Sequence, residues 1–308
     1  MKKLSIVLFA VHSLFSFAQD ISKDRVVDVI STLASDEMKG RKFGTAENDK
    51  AAEYIANEFK KNNLDYCFGD SYLIPFEYKG KKGYNVCGIK KGKSEKSLAF
   101  SGHFDHIGTN NKEGDNIYNG ADDDASGIST VIGLSDYFKN KETDFSMVFM
   151  AFNAEEIGLI GSKALSENQN LNPVFDHISA LFNFEMLATD SQFGKNAVYM
   201  TGDEFSDFDE LINKNAVNGL KVYPDPYQKE HLFYRSDNVN FVKRKIIAHS
   251  ISTVDMSTAK HYHAVNDDIN IVDADNLTNI INNFAKTIEK LNPQNFQPHY
   301  NDKVKYDF

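Results

Sequence analysis

Apolar residues recur at helical spacing in two early segments, 24–34 (DRVVDVISTLA) and 46–62 (AENDKAAEYIANEFKKN). Ser22 and Thr45 stand where N-caps belong, so each segment predicts an amphipathic helix. Residues 84–90, 97–104, 145–152 and 178–185 are short runs rich in Val, Ile and Phe, the pattern of buried strands. Between and after them, 126–139, 157–168, 203–217 and 273–291 predict helices. The last carries Ile280, Ile281, Phe284 and Ile288 on one face. Strands alternating with helices imply an α/β fold of three layers, with a central, largely parallel mixed sheet flanked by helices. No repeat or low-complexity linker divides the chain, and the tail from Pro293 is polar and aromatic without periodicity.

The first eighteen residues stand apart. Lys2 and Lys3 precede an apolar run, Leu4 to Ala10, and Ser16-Phe17-Ala18 resembles a small-x-small cleavage site. This predicts a signal peptide over 1–18 and a single domain over 19–308, exported to the periplasm or the exterior. The run is shorter than a span requires and His12 and Ser13 interrupt it, so a membrane anchor is disfavoured. No later segment is apolar enough to cross a bilayer. The formal net charge is −10, more negative once Lys2 and Lys3 are removed. Without a basic run, such a chain is a poor partner for nucleic acid. Export permits a disulfide between Cys67 and Cys87, and two buried thiols are equally compatible with the sequence.

The candidate chemistry falls at strand ends. His103 and Asp105, in SLAFSGHFDHIG, alternate along a strand and face one side, so the carboxylate can orient a ligating imidazole. Asp122, Asp123 and Asp124 are consecutive in GADDDASG. Helix capping explains one such acid well and three poorly, because they repel without a cation among them. Glu155 and Glu156 follow the strand FSMVFMAF, at the carboxyl end where α/β enzymes place their sites. One can bind metal while the other moves a proton. Glu185 ends the apolar strand ISALFNF, where a buried acid requires a partner. His263 lies in a polar loop, AKHYHAVNDD. Imidazole and carboxylate without thiolate suit zinc best among common metals, with manganese or cobalt as alternatives.

With GHFDHIG, GADDDASG and NAEEIGLIGS, and more loosely RSDNVNF and YHAVNDD, the chain resembles the co-catalytic zinc aminopeptidases of metallopeptidase family twenty-eight. The segment LASDEMKGRKFGTAENDKAAEYIANEF is similar to that family's amino-terminal signature, and the likeness runs from about Ile21 to Leu291. The resemblance implies two zinc ions per chain and peptide substrates. It implies that Asp122 bridges the metals, that Glu156 and His263 complete one site, and that His103 and Glu185 complete the other. Glu155 would be the general base, Asp105 would orient His103, and the Asp122–Asp123 peptide bond would be cis. Tyr234 and Arg235 are candidate substrate contacts. The family usually has Asp where this chain has Glu185, and the short segment between Phe76 and Tyr84 leaves no room for the extra domain of some relatives. The implied activity is removal of amino-terminal residues. The alternatives are a single-zinc glutaminyl cyclase-like acyltransferase, a carboxypeptidase of the same fold and a catalytically dead binding protein. The last is disfavoured because all six positions hold competent residues.

Overall fold

The computed structural model describes residues 20–306; the proposed signal peptide lies outside them. Among the described residues nine strands form one sheet: β1 Asp65–Tyr66, β2 Leu73–Tyr78, β3 Lys81–Lys90, β4 Ser97–His103, β5 Ser146–Phe152, β6 Ile178–Phe184, β7 Ala197–Met200, β8 Lys221–Pro224 and β9 Ala248–Ser252. The helices are α1 Lys23–Leu33, α2 Ala46–Lys61, α3 Gly127–Phe138, α4 Ile160–Ser166, α5 Asn172–Phe175, α6 Phe208–Asn215, α7 Asn238–Val242 and α8 Ala274–Ile288. Ser22 and Thr45 cap α1 and α2 through the N–H groups of Arg25 and Asn48.

The strand order is β1-β3-β5-β4-β6-β9-β7-β8, with β2 paired to β3. The centre, β5-β4-β6-β9, is parallel. The β1–β3 side and the β7–β9 junction are antiparallel, so the sheet is mixed. The parallel centre is buried on both faces, which is why its strands read as continuous apolar runs. Along β5, Met147, Phe149 and Ala151 pack into one core with α1, α3 and α8, while Val148, Met150 and Phe152 pack into a second with α4, α5 and α7. These cores are the two interfaces of a helix–sheet–helix sandwich.

The expected helix over 157–168 begins only at Ile160, because Glu155 to Leu159 form a turn. The expected helix over 203–217 begins at Phe208, after a separate short turn at Asp203–Phe205. Cys67 and Cys87 form a disulfide, with Cα atoms 5.6 Å apart. It joins the segment ahead of β2 to β3.

Candidate metal centre

The carboxyl ends of β4, β5 and β6 open on one side of the sheet, and His103, Glu155, Glu156 and Glu185 stand there. The acid loop reaches them from Gly120, whose backbone is left-handed (φ 63°). A side chain at that glycine would strike Asp123's carbonyl oxygen. Ala121–Ser126 then form one wide helical turn, and the three acids point in three directions.

Asp123 faces the centre. Its Oδ1 is 3.2 Å from His103 Nε2, and its Oδ2 is 3.4 Å from His263 Nε2. His263 Nε2 is also 2.9 Å from Glu156 Oε2, and His103 Nε2 is 3.8 Å from Glu185 Oε1. One carboxylate thus lies between two groups, His103 with Glu185 and His263 with Glu156. This corrects the assignment drawn from the sequence: the central residue is Asp123, not Asp122. Asp122 points away. Its Oδ1 accepts from Ala188 N–H (2.7 Å), and its Oδ2 from the Thr189 hydroxyl (3.0 Å) and His261 Nε2 (2.9 Å). It ties the loop after Glu185 to the loop of His263. The cis bond is likewise Asp123–Asp124, not Asp122–Asp123. Asp124 accepts from the N–H groups of His103 (3.1 Å), Gly127 (3.0 Å) and Met186 (3.1 Å). That arrangement requires a glycine at 127, since a Cβ there would sit 2.4 Å from the Asp124 carboxylate.

Asp105 also departs from its expected part. The His103 ring donates Nδ1–H to the backbone carbonyl of Asp105 (3.1 Å), while the Asp105 carboxylate is 3.8 Å away. That carboxylate instead accepts from the N–H groups of Glu155 (2.9 Å) and Glu156 (3.3 Å). It positions the Glu-Glu pair directly and His103 through its main chain.

Glu185 is held by the Ser236 hydroxyl and, at 3.4 Å, by Asn183 Nδ2. Burial pushes its carboxyl up, and pushes Glu155 well up. Burial likewise carries Asp237, beside Ser236, to about 7. His263 is pushed up to about 10 by hydrogen bonds to Asp123 and Glu156. These are the marks of carboxylates crowded in low dielectric with protons standing in for cations.

Two residues that the sequence reading passed over belong to the centre. His106 is buried and donates Nδ1–H to Glu156 Oε1 (2.6 Å), converging with Asp123 and Glu156 within 4.8 Å. It lies 3.7 Å from Asp123 Oδ2. His106 is closer to Glu156 than His263 is (2.6 against 2.9 Å) and farther from Asp123 (3.7 against 3.4 Å), so it serves Glu156 as a buttress. Its signal was the second histidine of GHFDHIG. Asp267 accepts from the N–H groups of Asp122 (2.7 Å) and Asp123 (3.1 Å), locking the acid loop to the segment after His263. Its signal was the second acid pair, in YHAVNDD.

The donor set fits zinc. It offers imidazole nitrogens and carboxylate oxygens, with the two cysteines consumed in a disulfide. Among the described residues His103 Nε2 is buried with no hydrogen-bond partner, as expected of a nitrogen reserved for a metal.

A cleft of about 570 Å³ lies over this centre. Met186, Tyr199, Val254 and Met256 give it an apolar side, and Arg235 and Tyr262 line it too. Of the two candidate substrate contacts, Arg235 is therefore on the cleft. Tyr234 is not among its lining residues; its ring packs on Phe205 and Phe233.

Fold and centre together give a helix–sheet–helix sandwich with a candidate metal centre at the carboxyl ends of its central strands. Residues 85–288 match peptidase family M28, well over half of the chain, and the chain belongs to that family. A vacuolar membrane protease of Schizosaccharomyces pombe is 22% identical over 233 residues, covering 72% of this chain. This chain spans only 25% of that relative's length. A zinc aminopeptidase from Bacillus subtilis shares the fold with a TM-score of 0.70 at 17% identity, over 92% of this chain and 97% of that one. A glutaminyl cyclase from Bacteroides thetaiotaomicron does so with 0.69 at 16% identity, over 89% of this chain and all (100%) of that one. Among the described residues no helix is long and apolar enough to cross a membrane.

Proposed function

We propose that this chain is an aminopeptidase that uses two zinc ions to remove amino-terminal residues from peptides. The observation that carries the reading is Asp123, set between His103 with Glu185 on one side and His263 with Glu156 on the other, with Glu155 left unspent beside them. Asp123 would be shared, His103 and Glu185 would complete one site, and Glu156 and His263 the other. A zinc pair supplies a water acidic enough to attack at neutral pH and charge to stabilise the oxygens of the displaced carbonyl.

The chain's own groups do the rest. Glu155, partly buried and held by its backbone to Asp105, takes the water's proton and returns it to the leaving amine. Its raised proton affinity suits that exchange. The substrate's α-amine is met by carboxylates. Its first side chain lies against Met186, Tyr199, Val254 and Met256.

The arginines argue against a carboxypeptidase, which needs a cation for the terminal carboxylate, ideally a bidentate arginine. Arg25 is paired with Glu58 and Asp136, Arg244 with Asp176, and Arg41 is buried on backbone carbonyls. Among the arginines Arg235 alone lines the cleft. A second reading, a single-zinc glutaminyl cyclase-like acyltransferase, is favoured by the shared fold.

One experiment separates these readings. The zinc-loaded protein is given a peptide free, acetylated at its amino end, or amidated at its carboxyl end, and an amino-terminal glutamine peptide. We expect stepwise amino-terminal release that acetylation abolishes and amidation spares. Cleavage blocked by amidation instead would make it a carboxypeptidase. Loss of ammonia from the glutamine peptide without cleavage would make it a cyclase. We propose further that residues 1–18 are removed on export, which the amino-terminal sequence of the secreted protein tests.

A further inference from the structure

Arg41 lies in the stretch KGRKFGT, ahead of α2 and outside the residues that chemistry would draw on. It is completely buried. A buried guanidinium would be expected to pair with an acid, yet this one donates to four backbone carbonyls. Nε donates to Phe104 O (2.6 Å), Nη1 to Leu33 O (2.5 Å) and Asn119 O (2.5 Å), and Nη2 to Gly120 O (3.0 Å).

The choice of carbonyls is informative. Phe104 lies between His103 and Asp105. Asn119 and Gly120 are the last residues before the acid loop. The two loops that bring His103 and Asp123 together are therefore held on one planar fork. The main chain of Arg41 reaches a third. Its carbonyl accepts from Asn48 Nδ2 (2.8 Å), whose side chain pairs with Asn153 (2.8 and 3.0 Å) directly ahead of Ala154, Glu155 and Glu156. A guanidinium has five N–H donors in a fixed plane and stays charged when buried. Its field reaches the acids in and around the centre, Asp267 and Asp123 first.

We propose that Arg41 is a positioning residue for the metal centre: its fork sets the spacing of the His103 and Asp123 loops, so that both zinc sites are formed before metal arrives. A lysine would keep the charge but present a point donor that cannot span Phe104, Asn119 and Gly120 together.

This rests on the two-zinc reading, so the zinc content and affinity of the unaltered protein are measured first, by competition with a chelating dye. A wild type that binds no zinc defeats that reading and leaves Arg41 without a role to play. Given two zincs, Arg41→Lys should bind zinc about 10–100-fold more weakly, the range for groups that orient ligands. Its metal-free thermal midpoint should stay near wild type. Unchanged zinc affinity overturns the proposal, and so does a loss of metal-free stability with no separate loss of affinity. Arg41→Ala supplies the second test, since guanidinium below denaturing concentration can enter the vacated space. Zinc affinity should recover with guanidinium chloride and not with sodium chloride. Equal behaviour in the two salts overturns the proposal.

Discussion

Asp123 and His103 meet through Oδ1 and Nε2 at 3.2 Å, and the other oxygen of the same carboxylate lies 3.4 Å from His263. Asp122, one residue earlier, turns its carboxylate to Ala188, Thr189 and His261. The two acids should therefore separate sharply on mutation. Asp123→Ala should lose both zincs and activity by roughly 10³-fold or more, since charge stabilisation by metal is worth several kcal/mol. Asp122→Asn should retain metal and much of the activity. Metal analysis of the two purified variants decides; equal zinc loss in both would return the bridging role to the pair as a whole.

Glu155→Gln should keep its metals and its fold while turnover falls by ~10²–10⁴-fold. The amide keeps the size of the side chain and the backbone bond to Asp105, but cannot accept a proton. Near-normal turnover by the fully metallated variant would remove Glu155 from proton transfer.

Glu185→Ala should bind about one zinc fewer per chain. The Ser236 hydroxyl and Asn183 hold one oxygen of Glu185, leaving Oε1 toward His103. Two zincs retained at unchanged affinity would show that Glu185 serves His103 and not the metal.

Arg235 lines the cleft and is exposed. Arg235→Gln should alter KM for peptides with acidic residues or a nearby free carboxylate, and leave KM for long neutral peptides within about threefold, as expected of an exposed charge. A uniform fall in kcat across substrates would place Arg235 in the chemistry instead.

His249 gives a pH dependence away from the metal. It is buried and neutral: Nδ1–H donates to Thr201 O (2.8 Å), and the Ser206 hydroxyl donates to Nε2 (2.8 Å). Burial lowers its pKa from 6.5 to about 4. The folded state thus binds the proton less readily than the unfolded state. The resulting stability is present above pH 6.5 and is lost as pH falls toward 4, by up to ~3 kcal/mol. His249→Gln should be less stable at neutral pH, yet lose less stability between pH 7 and 4.5. A parallel fall in both proteins by thermal melts would assign the acid sensitivity elsewhere.

The architecture was largely legible in the chain. In the parallel centre, buried on both faces, β4, β5 and β6 announce themselves as apolar runs, as does the antiparallel β3 beside them, and α1, α2 and α8 announce themselves as amphipathic stripes. The strands missed are β1, β2, β7, β8 and β9; all but β2 are two to five residues long, too short for periodicity to register, and β2, largely unburied, carries Pro75 in mid-strand. The site was legible as a set of segments but not at the level of single atoms. Three identical aspartates in a row carry no mark of direction, and the wide turn over Ala121–Ser126 decides which one faces inward. The backbone carbonyl of Asp105, which orients His103, has no signature in residue type at all. His106 and Asp267 acquire meaning only when Glu156 and the acid loop come beside them.

The residues proposed to hold zinc end β4, lie ahead of α3, follow β5 and β6, and finally sit in the loop that ends at α8. Each is anchored by hydrogen bonds to a segment distant in sequence. A growing chain accordingly carries no working fragment of this centre until His263 and Asp267 have been made and packed against the acid loop. For the peptidase proposed here, this order of assembly would be a safeguard: the host would not be exposed to half-made enzyme.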